Sequence, residues 1–95
     1  MEIHTGLVAD NDLLSLEQLS EMLSVSDKVV IEWIEHDVIY AVERQNQYYI
    51  SCDQLAKVKA ALRLARDLGV NAPGIAIIYQ LRQRVKELEA LLEFE

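Results

Sequence analysis

The sequence contains few of the residues from which disulfides, metal sites and membrane segments are built. Cys52 is the only cysteine, so no intramolecular disulfide can form, and its side chain is expected to fill an apolar gap in the first turn of a helix. His4 and His36 have no partner at ligand spacing, which argues against a metal site. The chain opens with no signal peptide, and no apolar run reaches the roughly 18 residues that cross a bilayer. We therefore expect a soluble cytoplasmic protein with no cofactor and no membrane contact.

Arrangements typical of catalysis are also missing. The chain has 3 glycines and no Gly-rich phosphate loop, since Gly69 and Gly74 flank a break between helices. No serine has the surroundings of a nucleophile elbow. Glu35, His36 and Asp37 are adjacent, and adjacent helical side chains point in different directions, so they cannot converge on one substrate. We expect a binding protein rather than an enzyme.

Basic residues are scarce and unevenly placed. The chain has 9 Lys and Arg against 16 Asp and Glu, for a formal net charge of -7. Up to Asp53, two basic residues face eleven acidic ones, whereas the remainder has a small positive excess. An acidic surface repels nucleic acid and anionic membranes, so the first half favours a basic protein partner.

Apolar residues, in contrast, are plentiful enough for a core. The 95 residues, 52% of them hydrophobic, correspond in size to one compact domain, 1–95. Within it we predict a winged helix-turn-helix head at 13–50, a linker helix at 51–69 and a long C-terminal helix at 72–93. The expected fold class is mainly α, with a small β-hairpin as the wing.

The head is organised around two short helices joined by a tight turn, between Ser15 and Ile39. Ser15 and Gln18 form a capping box, in which each side chain bonds the other residue's backbone N–H. Ser26 is a natural N-cap for the second helix. Apolar residues at helical spacing follow the caps, at Leu16, Leu19, Met22 and Leu23 and then at Val29, Val30, Trp33 and Ile34. This pattern is a helix-turn-helix, whose second helix by default reads DNA.

The charge of the second helix argues against that default. Its one basic residue, Lys28, stands against four acidic ones, Asp27, Glu32, Glu35 and Asp37. A phosphate backbone repels such a helix. Asp27, Ile31 and Glu35 follow one another at i, i+4 and i+8, so they form a stripe roughly opposite the apolar face. An aliphatic residue ringed by acids fits a protein-binding patch; alternatively, Ile31 packs under the wing.

A β-hairpin is predicted next, from the β-prone runs Ile39–Val42 and Tyr48–Ile50 around a polar loop. Tyr48 and Tyr49 would point to opposite faces of a regular strand, so at most one is an exposed anchor. Near the N-terminus, a turn at 9–12 follows residues that could form a short strand, namely Ile3, Thr5, Leu7 and Val8.

Two helices follow the hairpin. Ser51 and Gln54 predict a second capping box. The helix that it opens has one apolar face, made of Leu55, Val58, Ala61, Leu62 and Ala65. Gly69 suits the left-handed residue that ends a helix, and Pro73 suits the first position of the next.

The C-terminal helix carries a second apolar stripe, at Ile78, Leu81, Val85, Leu88 and Leu92. This stripe docks either on the chain's own helices or on a second copy. An arm of about 20 residues extends ~30 Å, more than so small a core can cover, which favours a homodimer. Basic residues precede acidic ones along the arm, with Arg82, Arg84 and Lys86 before Glu87, Glu89, Glu93 and Glu95. An antiparallel partner would therefore set a basic stretch against an acidic tail, which a parallel partner would not.

The head resembles that of the MerR-type regulators. The resemblance rests on Leu14-Ser15-Leu16, Val25-Ser26 and Tyr49-Ile50-Ser51 followed by Leu55. Where those regulators have an Arg-Tyr pair that contacts the DNA backbone, this chain has Ile31-Glu32, and Tyr48-Tyr49 replaces two wing arginines. Each replacement removes a phosphate contact, and Glu32 adds repulsion.

Residues 63–78, RLARDLGVNAPGIAII, resemble a narrower group, the bacterial chaperone-modulator family. With the head, the resemblance extends over residues 14–92. It implies a small, acidic, cytoplasmic protein that binds the J domain of a DnaJ-like, curved-DNA-binding co-chaperone and inhibits its activities. J domains present a basic helix to their chaperone partner, which an acidic surface could occupy.

The expected partner-binding residues are Asp27, Ile31, Glu32, Glu35, Tyr48 and Tyr49. The alternative function is that of a small DNA-binding regulator, MerR-like or excisionase-like, with the same fold. The charge of the second helix favours the first hypothesis, which involves no direct contact with nucleic acid.

Overall fold

The computed structural model describes residues 3–4 and 12–93 of the chain. Four helices lie at Leu16–Leu23 (α1), Asp27–Glu35 (α2), Leu55–Leu68 (α3) and Ala72–Leu92 (α4). Four short strands lie at Ile3–His4 (β1), Leu13–Ser15 (β2), Ala41–Arg44 (β3) and Gln47–Ser51 (β4). They form one sheet in the order β1-β3-β4-β2, in which β2, β4 and β3 are antiparallel and β1 pairs in parallel with β3. Of the predicted N-terminal strand and turn, residues 5–11 lie outside the described residues.

The helix-turn-helix forms as its capping residues predict. The Ser15 hydroxyl accepts from the Gln18 N–H at 3.0 Å, and the Gln18 side chain accepts from the Ser15 N–H at 2.9 Å, so the capping box is confirmed. Ser24 ends α1 in the left-handed region, at φ 53°, and Ser26 caps α2 by accepting from the Val29 N–H at 3.3 Å. With only three residues between the helices, their apolar faces converge on one side.

One core lies beneath α1, α2, α3 and the sheet. Fully buried side chains come from each of these elements: Leu19, Val30, Trp33, Ile34, Val38, Ile39, Ala41, Val42, Ile50, Val58 and Ala61. The predicted apolar faces of α2 and α3 are therefore confirmed, with Val29, Leu55, Leu62 and Ala65 packed at the edge of the core. In α1, Leu16 and Leu23 also pack there, whereas Met22 is 52% exposed and does not belong to the core.

The hairpin closes with a two-residue turn. Gln45 and Asn46 both have positive φ, at 52° and 63°, which is the signature of a type I′ turn. The turn sets Val42 opposite Tyr49 and Glu43 opposite Tyr48. The predicted wing is therefore confirmed, and Asn46 supplies the left-handed conformation that glycine often supplies in such turns.

The second predicted capping box is wrong. Ser51 makes no side-chain cap hydrogen bond, and Cys52–Gln54 is a short 3-10 turn, so α3 begins at Leu55. Gln54 is instead buried, where its side chain accepts from the Tyr40 N–H at 2.9 Å and donates to the Tyr40 carbonyl at 2.7 Å. A polar side chain thus bonds both backbone groups of the residue that precedes β3. Cys52 is exposed, so its predicted role as an apolar filler is also wrong.

The link between α3 and α4 follows the predicted break. Gly69 ends α3 at φ 66°, as expected. Asn71 caps α4 by accepting from the Gly74 N–H at 3.0 Å, which makes Pro73 the second residue of α4 rather than the first. A Cβ on Gly74 would lie 2.8 Å from Val70 Cγ1, so a larger residue would push the link apart. Arg66 in the last turn of α3 donates to the carbonyls of Leu23 and Ser24, which joins α3 to the helix-turn-helix corner.

Only the start of α4 packs on the head. Ala72 and Ile75 are buried, and the Tyr79 hydroxyl donates to the Lys57 carbonyl at 2.7 Å. From Gln80 to Glu93 every residue is exposed, and we call this segment the arm. The described molecule is correspondingly elongated, with principal extents of 48 × 33 × 20 Å.

Candidate partner-binding surfaces

The outer face of α2 is set by what the inner face buries. Val30, Trp33 and Ile34 are almost fully buried, at 0%, 1% and 3% exposure. Because a helix has 3.6 residues per turn, Asp27, Ile31 and Glu35 then align on the solvent side. Ile31 is 40% exposed, so the alternative in which it packs under the wing is wrong. Ile31 therefore exposes an apolar side chain to water. We call Ile31, together with Asp27, Glu32 and Glu35, the α2 face.

Charge surrounds that exposed isoleucine. Asp27, Glu32 and Glu35 are all exposed, and Lys28 is the only basic residue of α2. Asp27 has a further role that the sequence did not suggest, because its carboxylate accepts a short hydrogen bond from the Ser20 hydroxyl across the turn. This bond ties α1 to the start of α2. Asp27 therefore supports the corner. With the residues that the structure describes, Glu32 and Glu35 make no such contact, and both side chains are exposed.

Tyr48 and Tyr49 lie on the hairpin and not on α2. Tyr48 is 40% exposed, while Tyr49 is half-buried, and its hydroxyl donates to Gln47 at 3.2 Å. This difference agrees with the expectation that at most one of the two is exposed as an anchor, and Tyr48 is the more exposed of the pair. The six predicted partner-binding residues thus belong to two separate elements.

The arm displays the predicted apolar stripe without covering it. Ile78 is half-buried where the arm leaves the head, whereas Leu81, Val85, Leu88 and Leu92 are 59%, 51%, 48% and 67% exposed. The alternative in which this stripe docks on the chain's own helices is therefore wrong for these four residues. Soluble monomers rarely expose so long an apolar strip.

A cleft that the sequence did not reveal lies where the arm leaves the head. It has a volume of about 640 Å³ and is lined by α3, α4 and the end of α2, through Asp37, Ala56, Lys57, Ala60, Ala76, Tyr79, Gln80, Arg82, Gln83, Arg84, Lys86 and Glu87. The positive excess of the second half and the helical spacing of Tyr79, Arg82 and Lys86 were the signals for it. Neither signal says that Lys57 would face the same space.

The Tyr79 ring lies close to two basic side chains of this cleft. The Lys57 ammonium lies 5.8 Å from the centres of both the Tyr40 and Tyr79 rings, and the Arg82 guanidinium lies 5.9 Å from the Tyr79 ring. All three contacts are within cation–π range. Burial raises the pKa of the Tyr79 hydroxyl above its usual value, and nearby Arg82 and Arg63 partly oppose that rise. Tyr79 therefore stays a neutral hydrogen-bond donor over the physiological range.

No cluster of three or more His, Cys, Asp or Glu that could hold a metal ion occurs among residues 3–4 and 12–93. Within the same residues, no helix is both long enough and apolar enough to cross a membrane.

Comparison with known proteins assigns the family. Residues 14–93 match the family described as MerR HTH family regulatory protein. Two relatives, each called chaperone modulatory protein CbpM, come from Coxiella burnetii strains Dugway 5J108-111 and RSA 331 / Henzerling II. Each is 32% identical over 94 residues, which cover 96% of this chain and 88% of the relative. No solved structure matches the chain.

These matches agree with the architecture. The winged helix-turn-helix, the linker helix and the long C-terminal helix occur in the predicted order, which confirms the fold class. The resemblance to the chaperone modulators is confirmed over nearly the whole chain. Proteins of this kind are non-catalytic, in agreement with the expectation that the chain is not an enzyme. The chain belongs to the MerR-type helix-turn-helix family and, within it, is a chaperone modulatory protein of the CbpM type.

Proposed function

We propose that the chain is a cytoplasmic, non-catalytic modulator that binds the J domain of a DnaJ-like co-chaperone through the α2 face and inhibits it. The observation that carries the proposal is Ile31, 40% exposed on a helix whose other exposed residues, apart from Lys28, are acidic. In a helix-turn-helix, this is the surface that would otherwise face DNA. The chaperone-modulatory relatives point to a partner within the chaperone system.

The chemistry of the α2 face fits a basic helix. Glu32 and Glu35 would attract its positive side chains, while Ile31 would lose water on contact and supply an apolar centre. A bound α2 face would cover the basic helix that a J domain presents to its chaperone partner. The bound chain would thereby occupy or displace a region of the J-domain protein. Both the co-chaperone activity and the DNA binding of that protein would then be inhibited.

The arm suggests a homodimer in addition. Leu81, Val85, Leu88 and Leu92 would pack against the same residues of a second copy. In antiparallel order, Val85 meets Leu88 of the other copy, and Arg82 comes near its Glu89. Two such pairs arise by symmetry. A dimer of this kind carries two α2 faces and can hold two J domains.

Direct DNA binding is the alternative function. The acidic α2 opposes it, because a phosphate backbone is attracted by arginine and lysine, of which α2 has Lys28 alone. We expect no appreciable retardation of labelled duplex at low salt, where electrostatic binding is strongest. Micromolar affinity in that titration would favour the DNA-binding alternative.

Surface-plasmon kinetics against an isolated J domain test the proposal. Reversing the charge at Glu32 and Glu35 should chiefly slow association, with a smaller effect at high salt, because exposed charges steer the encounter. Ile31→Ala should instead speed dissociation, by about 1–2 kcal/mol of binding free energy. The matched controls are Asp67→Lys on α3 and Ile77→Ala on α4, both exposed and away from the α2 face.

Two outcomes separate the surfaces. If the α2 variants bind like wild type and truncation after Leu81 abolishes binding, the J domain is held by the arm and the α2 assignment is wrong. If neither change affects binding, Tyr48→Ala tests the hairpin, whose tyrosine is the remaining exposed anchor.

A further inference from the structure

The cleft between α3 and the arm is chemically unlike the rest of the molecule. The chain as a whole has a net charge of -7, yet the side chains that line this cleft include Lys57, Arg82, Arg84 and Lys86 against Asp37 and Glu87. Tyr79, Arg82 and Lys86 recur at spacings of three and four residues, so the side of α4 that packs on the head continues outward as a cationic surface. Nothing in the α2 face or the apolar stripe of the arm uses these residues.

Two of the basic residues of the cleft lie near aromatic rings. Lys57 is positioned by two aromatic rings and Arg82 by one, at 5.8–5.9 Å. Among the residues that the structure describes, neither forms an ion pair with a carboxylate, and Lys86 forms none either. Positively charged groups whose positions are already fixed lose less entropy when an anionic group binds.

The floor of the cleft is apolar and low. Ala56 and Ala60 are one turn apart on α3, and Ala76 lies across from them on α4. Two neighbouring helices with small residues in the groove between them allow the backbone of a third helix to approach closely. A helix with its apolar side down and its acidic side toward Lys57, Arg82 and Lys86 would complement both features.

We propose that this cleft docks an acidic amphipathic helix of a partner protein. The lining has a modest positive excess, four basic residues against two acidic ones, which suits a segment with two or three carboxylates. A polyanion such as nucleic acid would also meet the acidic first half of the chain, which repels it. The cleft is distinct from the α2 face, so this proposal does not depend on what the α2 face binds.

The test uses the full chain and a fluorescein-labelled helical peptide of about 15–20 residues, in which glutamates at i, i+4 spacing alternate with alanine and leucine. The control peptide has glutamine in place of glutamate. Amide chemical shifts of the ¹⁵N-labelled chain should move at Ala56, Ala60 and Ala76, and not at Ile31. Lys57→Glu and Lys86→Glu should each weaken binding by about tenfold, whereas Lys59→Glu, exposed on the same helix but outside the cleft, should change it by less than about twofold.

Several outcomes would overturn the proposal. Equal affinity for the glutamine peptide would remove the electrostatic basis, and wild-type affinity in both cleft variants would remove the location. Displacement of the bound peptide by short duplex DNA would assign the cleft to nucleic acid. If sedimentation shows that the peptide dissociates a dimer, the natural occupant of the cleft is the acidic end of a second copy's arm. Lys86→Glu keeps the test interpretable if Lys57→Glu shifts the arm, because Lys86 lies beyond the packed part of α4.

Discussion

Helices α2 and α4 share one sequence pattern but differ in whether their apolar residues are buried. Each carries apolar residues at spacings of three and four, yet α2 buries Val30, Trp33 and Ile34, while α4 leaves Leu81, Val85 and Leu88 exposed. The difference comes from their neighbours. Helix α2 is joined to α1 by a three-residue turn and lies over the sheet, so its apolar stripe is buried. The arm instead extends past the first turn of α3. Periodicity identifies a face that needs a partner, and connectivity decides whether the partner is the same chain.

This contrast extends to charge. The buried stripe of α2 frees its opposite side to display Ile31 among carboxylates, and the α2 face is thereby rigidly supported from beneath. The arm has no such support, and its apolar stripe and its basic residues are exposed. The head is therefore expected to determine stability, and the arm to determine association.

The largest effect should come from the core side of α2. Trp33→Ala removes the largest fully buried side chain and should lower the free energy of unfolding by about 3–5 kcal/mol. A domain of this size has only about 5–15 kcal/mol to lose, so the melting temperature should fall sharply in a thermal denaturation followed by circular dichroism. Ile77→Ala on α4, 55% exposed, is the control and should change stability by less than about 0.5 kcal/mol.

The arm should respond in the opposite way. Leu88→Glu places a charge in the apolar layer of the proposed dimer and should convert dimer to monomer in sedimentation velocity, with little change in the melting of the head. Glu89→Gln, on the neighbouring position, should weaken the dimer only slightly. A wild-type chain that sediments as a monomer at high concentration would contradict the dimer, and the contrast between the two helices would then rest on exposure alone.

A buried polar contact in the head should have an intermediate effect. Gln54→Leu keeps the bulk of the side chain but removes the amide that bonds the N–H and carbonyl of Tyr40, at a cost of about 1–3 kcal/mol in urea unfolding. The exposed capping residue Gln18 is the comparison, since Gln18→Leu removes a hydrogen bond that water can replace. Equal effects of the two substitutions would mean that burial adds nothing to the Gln54 contact.

The smallest effect concerns the junction of head and arm. The pKa of Tyr79 is raised by burial in the folded state, so the neutral hydroxyl stabilises the fold below the ordinary tyrosine pKa of 10.0, and that contribution is lost as the pH rises through the higher folded value. Tyr79→Phe should remove about 0.5–1.5 kcal/mol at neutral pH, through loss of the bond to the Lys57 carbonyl. Its stability should also fall less steeply in alkali than that of the wild type, as measured by urea midpoints. An identical alkaline slope in both proteins would exclude Tyr79 as a cause.

Local chemistry explains what could be read from the sequence. The Ser15–Gln18 box, the Ser26 cap, the Gly69 stop and the apolar faces of α2 and α3 each depend on residues within a few positions, so their patterns are sufficient. The second predicted capping box is wrong because a distant contact replaces the local one. Ser51 and Gln54 have the right spacing, but Gln54 gains more from Tyr40, fourteen residues earlier, than from a local N–H.

The sequence by itself determined the helix-turn-helix, the hairpin wing, the acidic charge of α2 and the family, because short-range patterns and the order of elements carry them. Only the tertiary structure decided that Ile31 and the stripe of the arm are exposed, that Cys52 faces water and that Asp27 bonds Ser20. It also brought Lys57 to Tyr79 and Arg82, more than twenty residues away along the chain, to form the cationic cleft. The exposure of a side chain and the proximity of charges depend on how the elements pack. They therefore cannot be predicted from a short stretch of sequence.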